Sequence, residues 1–191
     1  MLTEQAVETA TTGDVDRRRV ALRALSAGLL AIAVDQAVKG IAILSLPYGQ
    51  PVPTVIPSLD LNLVLNAGAA FGLGARVGPL LAAGILIVLT VLTAWIIRRV
   101  IRRENPTVTI LLAIAAGGGW GNMVDRALLG EHGVLSGAVV DYLSVSWFAI
   151  FNLADVFTVG GIAAAVVAAT VQNRRAQGVA AATVHDTVTG A

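Results

Sequence analysis

Four long runs of apolar residues, at about 24–46, 77–97, 108–124 and 148–171, constrain this chain more than any other feature. Each approaches or exceeds the ~20 residues a helix needs to cross the hydrocarbon of a bilayer. Of 191 residues, 56% are hydrophobic and only 13% charged, too few charges to cover a water-facing surface. The expected fold class is membrane all-α, a bundle of four transmembrane helices. The first run is longer than a signal-peptide core and carries Asp35 and Lys39, so it reads as a retained span. The third is the shortest and richest in glycine, which suits packing against other helices rather than lipid.

Arginine placement sets the expected orientation. Arg17, Arg18, Arg19 and Arg23 precede the first run, Arg98, Arg99, Arg102 and Arg103 fill the link between the second and third, and Arg174 and Arg175 follow the fourth. The other two links carry only Arg76 and Arg126. By the positive-inside rule both termini and the middle link are cytoplasmic, and the segments at 47–76 and 125–147 face outward. The domain layout expected is a flexible cytoplasmic tail at 1–20, a membrane domain at 21–172 and a second flexible tail at 173–191. The outer segments have strand character. Leu59, Leu61, Leu63 and Leu65 recur at every second position, and Val139 to Trp147 is rich in β-formers. A small extracytoplasmic β element is therefore expected.

The absence of cysteine excludes disulfides, thiolate metal sites and a cysteine nucleophile. Only two histidines are present, too few for most histidine-based metal sites, and the absence of HExxH excludes a zinc metallopeptidase of that type. Ionisable groups within apolar helices cost at least ~2.5 kcal/mol each on insertion scales, which makes them functional candidates. Asp35 and Lys39 stand at i, i+4 and share a helix face; the blander role is an ion pair that fixes packing. Asn122 and Asp125, three apart, close the third run, with Arg126 next; Asn152 and Asp155, also three apart, open the fourth. Asp141 lies between them, flanked by Val139, Val140 and Tyr142. Asp125, Asp141 and Asp155 are thus expected at one level near the outer membrane surface. Two acids close together in apolar surroundings share a proton, the arrangement that aspartic peptidases use. A lone aspartate there is more simply a helix cap or an arginine partner, and Asp125 beside Arg126 suits that role best. Asn66, followed by Ala67 and Gly68, ends the alternating strand, where small residues let a substrate backbone approach.

These blocks together resemble the prolipoprotein signal peptidase (signal peptidase II) family. They run, in order, Asp35-Gln36-Ala37-Val38-Lys39, Asn66-Ala67-Gly68-Ala69-Ala70-Phe71, Gly121-Asn122-Met123-Val124-Asp125-Arg126, Val139-Val140-Asp141-Tyr142 and Phe151-Asn152-Leu153-Ala154-Asp155. The resemblance covers about Ala24 to Val171. It implies a bacterial aspartic endopeptidase with Asp141 and Asp155 as the catalytic pair and Asp125 as the rival for a place in it. Asn122, Asp125 and Arg126 would hold the pair, Asn152 would orient Asp155 or substrate, Asn66 and Gly68 would contact the substrate backbone, and Asp35 with Lys39 would sit low in the pocket.

The resemblance further implies diacylglyceryl-modified prolipoprotein substrates cut before the lipidated cysteine, sensitivity to globomycin, and no cofactor, metal or nucleic acid. A monomer in the cytoplasmic (inner) membrane is expected, in contact with membrane lipid and with its active site outside. Thirteen residues between Asp141 and Asp155 make a short connection for the family, and Trp120 and Val156 depart from its usual residues. Two other classes fit intramembrane Asp, Lys and Asn: a small ion- or proton-coupled transporter and a non-enzymatic scaffold with acids as interhelical glue.

Overall fold

The computed structural model describes residues 2–68, 78–130 and 135–189, with side chains placed over 16–68, 80–130 and 135–177. In chain order the elements are α1 (Leu2–Ser45), β1 (Val52–Pro53), β2 (Leu59–Asn66), α2 (Gly78–Ile101), α3 (Pro106–Leu128), β3 (Val139–Val145), β4 (Ile150–Phe151) and α4 (Leu153–Thr189). All four helices contain a stretch long and apolar enough to cross a membrane: Asp16–Ser45, Leu80–Ile101, Pro106–Leu128 and Leu153–Gln177. Many large apolar side chains on α1, α2 and α4 point outward, among them Leu25, Leu30, Ile87, Val91, Val159 and Val166. That exposure suits hydrocarbon as the solvent.

Helix α3 is the centre of the bundle and packs on α1, α2 and α4. Its glycines make this possible. A β-carbon on Gly117 would lie 2.5 Å from the Gly28 carbonyl oxygen of α1, and one on Gly118 would collide with the Ala154 carbonyl of α4. Close backbone approach through small residues is how helices associate where lipid is as apolar as their side chains. At its start, the Asn105 side chain accepts from the Val108 N–H at 3.0 Å and Pro106 fills the first turn.

The helices outrun their apolar windows. Neither the segment at 2–20 nor that at 172–189 contains proline, and both polar flanks set apart as tails are continuous with α1 and α4. The fourth helix starts later than its apolar run. Ile150 and Phe151 pair with β3, and Asn152 then caps α4, so the helix begins at Leu153 rather than near 148.

One antiparallel sheet, in the order β1-β2-β3-β4, lies at the end of the bundle where α1 finishes and α4 begins. Leucine alternation marks β2, as expected, but the pairing of β2 with β3 shifts between Leu61 and Val64. Beyond that bulge Val64 stands opposite Asp141 and Asn66 opposite Val139. Side chains alternate across β3. Val140 and Tyr142 join Ala42 and Leu63 in an apolar cluster against α1, while Asp141 points to the other side.

Candidate active site

Asp141 is carried on β3 and Asp155 on the first turn of α4, and both line one cavity of about 1020 Å³. Each is fixed by amides whose orientation leaves little choice. Asn66 is the diagonal cross-strand neighbour of Asp141, on the same face. Its Oδ1 accepts from the Gly68 N–H at 2.9 Å, so its Nδ2 donates to Asp141 Oδ2, also at 2.9 Å. The Asn152 Nδ2 donates to Asp141 Oδ1 at 2.7 Å. It also lies within bonding distance of Asn122 Oδ1 at 3.0 Å and the Val140 carbonyl at 3.2 Å.

Asp155 belongs to a reciprocal cap. Asn152 Oδ1 accepts from the Asp155 N–H at 3.1 Å, and Asp155 Oδ2 accepts from the Asn152 N–H at 3.1 Å. This is the capping-box geometry, with aspartate in the third helical position. The other carboxylate oxygen of Asp155 accepts from Asn122 Nδ2 at 2.9 Å. The remaining free amides of that turn find partners too: Leu153 N–H donates to the Tyr142 hydroxyl at 3.2 Å and Ala154 N–H to Asp35 Oδ1 at 2.9 Å. A negative group at a helix start is also favoured by the helix dipole.

Behind Asn122 lies a buried ionic cluster. Lys39 Nζ is 2.8 Å from Asp35 Oδ2, 2.8 Å from Asp125 Oδ2 and 2.7 Å from Asn122 Oδ1, so its three hydrogens match three acceptors. Gly121 admits Asp35; a β-carbon there would lie 2.7 Å from Asp35 Oδ2. Asp125 also accepts from the Gln36 amide at 2.9 Å and from the Val140 N–H at 3.0 Å, tying α3 to the strand that carries Asp141.

Several expectations change here. The cation that Asp125 pairs with is Lys39, rather than Arg126. The buried Arg126 guanidinium instead donates to the carbonyls of Gly68 and Gly137, on the wall of the large cavity. Asp35 and Lys39 stand behind that wall rather than low in it; Lys39 lines a separate small cavity of about 140 Å³. Asn66, Gly68, Asn122 and Arg126 all line the large cavity, and Asn152 is buried behind the two acids. Ala69 to Gly72, the rest of the glycine-rich turn, lie outside the described residues. Gln36 and Tyr142 hold the site without having been singled out; a glutamine within an apolar helix was the available signal for the first.

Burial holds the Asp141 carboxyl above its ordinary value, up to about 6. The bond from Asn66 opposes that rise, the Asp155 charge adds to it, and Asn152 and Lys39 oppose it. Burial likewise pushes the Tyr142 hydroxyl up to about 12, so it stays protonated. No cluster of metal-ligating side chains is present among the described residues.

Fold and site together define a polytopic membrane protein with two carboxyl groups lining one cavity at the end of the helix bundle that carries the sheet. The family model described as Signal peptidase (SPase) II matches residues 27–171. A lipoprotein signal peptidase of Mycobacterium avium (strain 104) is 38% identical over 157 residues, 80% of this chain and 82% of its own. That of Bifidobacterium adolescentis is 38% identical over 152 residues, 78% of this chain and 76% of its own. A solved bacterial membrane enzyme, determined by the in meso method at 2.3 Å, shares the fold. It superposes with a TM-score of 0.63 at 23% identity, covering 78% of this chain and 88% of its own. The chain belongs to the signal peptidase II family.

Proposed function

We propose that this chain removes signal peptides from diacylglyceryl-modified prolipoproteins, cutting before the lipidated cysteine, with Asp141 and Asp155 as an aspartic catalytic pair. The observation that carries this is the Asn152 side chain, which bonds Asp141 through its nitrogen and caps Asp155 through its oxygen. One residue thus holds both acids in register on the cavity wall. The lipoprotein signal peptidases that the chain resembles point to the same substrate class.

In this mechanism a water sits between the two carboxyl groups and the scissile carbonyl. Asp155 takes its proton as the oxygen attacks, and Asp141 gives its own proton to the carbonyl oxygen. The resulting diol collapses as one of its hydroxyls returns a proton to Asp141, while the proton on Asp155 passes to the leaving amine of the cysteine. Asp155 is the base because Asn122 carries the field of Lys39 to its Oδ1. Arg126 and Asn66, on the same wall, hold the substrate backbone. The arginine distribution puts this wall at the extracytoplasmic face of the bacterial membrane. The reading takes a monomer, with no metal or cofactor.

The test is cleavage of a diacylglyceryl prolipoprotein by the purified protein, with Asp141→Asn and Asp155→Asn beside it. Cleavage that globomycin blocks and that both variants lose is the expected result. Substantial turnover by either folded variant would sink the catalytic pair.

A further inference from the structure

The large cavity extends well past the two acids, and its deeper part is apolar. Along α2 the lining positions are 80, 81, 84, 85, 88 and 89, one face of the helix over ten residues. At 1.5 Å per residue that is about 14 Å down the bilayer normal. Along α4 they are 155, 156, 158, 159 and 160, and α3 supplies the floor with Gly119 and Met123. Helix α2 leans on α3 and more lightly on α1 and has no comparable seam with α4, so the cavity faces the bilayer between α2 and α4.

Gly84 and Gly160 stand one on each side of this gap. Both line the cavity and both are exposed, and a β-carbon on either would have nothing within 4 Å. Gly117 and Gly118, by contrast, are glycines because helices touch there. A glycine that no neighbour requires, on a cavity wall, leaves width for something else.

We propose that the gap between α2 and α4 receives one acyl chain of the substrate, and that Gly84 and Gly160 set its width. This rests on the peptidase reading above and deepens it. Moving an acyl chain from lipid to an apolar groove gains little, because both surroundings are equally apolar. The groove therefore acts by holding the chain in one line, so that the bond near its head reaches Asp141 and Asp155 in register. A chain too short to reach Gly84 and Gly160 gains nothing from them and loses nothing when they are filled.

The experiment compares kcat/KM for prolipoproteins carrying hexadecanoyl or butanoyl chains in wild type, Gly84→Phe and Gly160→Phe. Val91→Phe and Val166→Phe, exposed positions outside the cavity, serve as controls. The long-to-short ratio is expected to fall about tenfold or more in the two glycine variants and to hold in the controls. Ile85→Ala, which widens the groove without adding bulk, is expected to leave the long-chain substrate favoured and to admit a methyl-branched chain better. A ratio unchanged in folded Gly84→Phe and Gly160→Phe, or no gain for the branched chain in Ile85→Ala, overturns the groove while leaving the peptidase intact. An inert wild type overturns the peptidase reading itself, and the groove with it.

Discussion

A single side-chain amide joins Lys39 to Asp155: the Asn122 oxygen accepts from Lys39 Nζ at 2.7 Å, and its nitrogen donates to Asp155 Oδ1 at 2.9 Å. Because an ammonium only donates, the amide cannot turn over, and Asp155 always meets a donor at that oxygen. Lys39→Met breaks this chain and leaves Asp35 and Asp125 buried without their cation. A loss of about 3–5 kcal/mol is expected, read by denaturant unfolding in detergent. The triple variant Asp35→Asn/Lys39→Met/Asp125→Asn removes the charges together and should recover most of that stability. Its activity should stay low, since Asp155 no longer feels the ammonium.

The proton that Asp141 carries gives the pH profile its sign. In the free enzyme it leaves as pH rises through about 6, so kcat/KM should fall on an alkaline limb there. Bound substrate displaces water from the cavity, which disfavours the carboxylate further. The corresponding limb in kcat should therefore lie at higher pH than that in kcat/KM. Folding responds to the same group. The folded chain binds this proton more tightly than the unfolded one, so the contribution of Asp141 to stability is greatest below its ordinary 3.8 and declines as pH climbs to about 6.

Asn66→Ala isolates one contribution to that profile. The 2.9 Å bond from its Nδ2 favours the charged form of Asp141, so its loss should move the kcat/KM limb upward in pH. A limb that stays in place, or moves down, would show that Asp141 is not the group titrating.

What the sequence disclosed depended on range. Strand β2 was legible to its ends because leucine at every second position needs no partner to be recognised, and the four apolar spans declared themselves by length. Motif spacing put Asp125, Asp141 and Asp155 at one expected level, while the bonds of Asn122 to Asp155 and of Asn152 to Asp141 are seen only in the structure. The Lys39–Asp125 pair was not legible either, because it joins α1 to α3 across three intervening elements and no local pattern encodes it. Asp125 beside Arg126 in sequence suggested a pair, yet neighbouring residues on a helix point about 100° apart. The start of α4 was hidden for a similar reason: Phe148 to Phe151 are apolar enough for a membrane helix, and the pairing of Ile150 with Ser144 and of Phe151 with Leu143 removes the last two from it.

Asn152 separates capping from chemistry. Asn152→Asp keeps an oxygen for the Asp155 N–H and is an equally good cap, so the helix start should survive with a change near ~0.5 kcal/mol from the cap itself. It has no nitrogen to give Asp141, however, and it adds a third acid to the pair. Asn152→Ala loses both functions and should cost ~1 kcal/mol or more. Both variants should lose most of kcat, but only the alanine should lose the cap, which amide hydrogen exchange at Leu153 to Val156 would report.

Asp125 is the remaining acid that competes for a place in the catalytic pair, and its partners argue for a different job. It holds the Val140 N–H at 3.0 Å, one residue before Asp141, while its other contacts are to Lys39 and Gln36 behind the cavity wall. Asp125→Asn keeps an acceptor for Val140 and loses the charge opposite Lys39, so stability should fall more than chemistry. At a temperature where the variant is fully folded, kcat should be reduced far less than in Asp141→Asn. The comparison is made by measuring single-turnover cleavage and thermal unfolding on the same preparations. If Asp125→Asn were well folded and inert while Asp141→Asn still cut, the catalytic pair would be Asp125 with Asp155, and β3 would serve only to cover them.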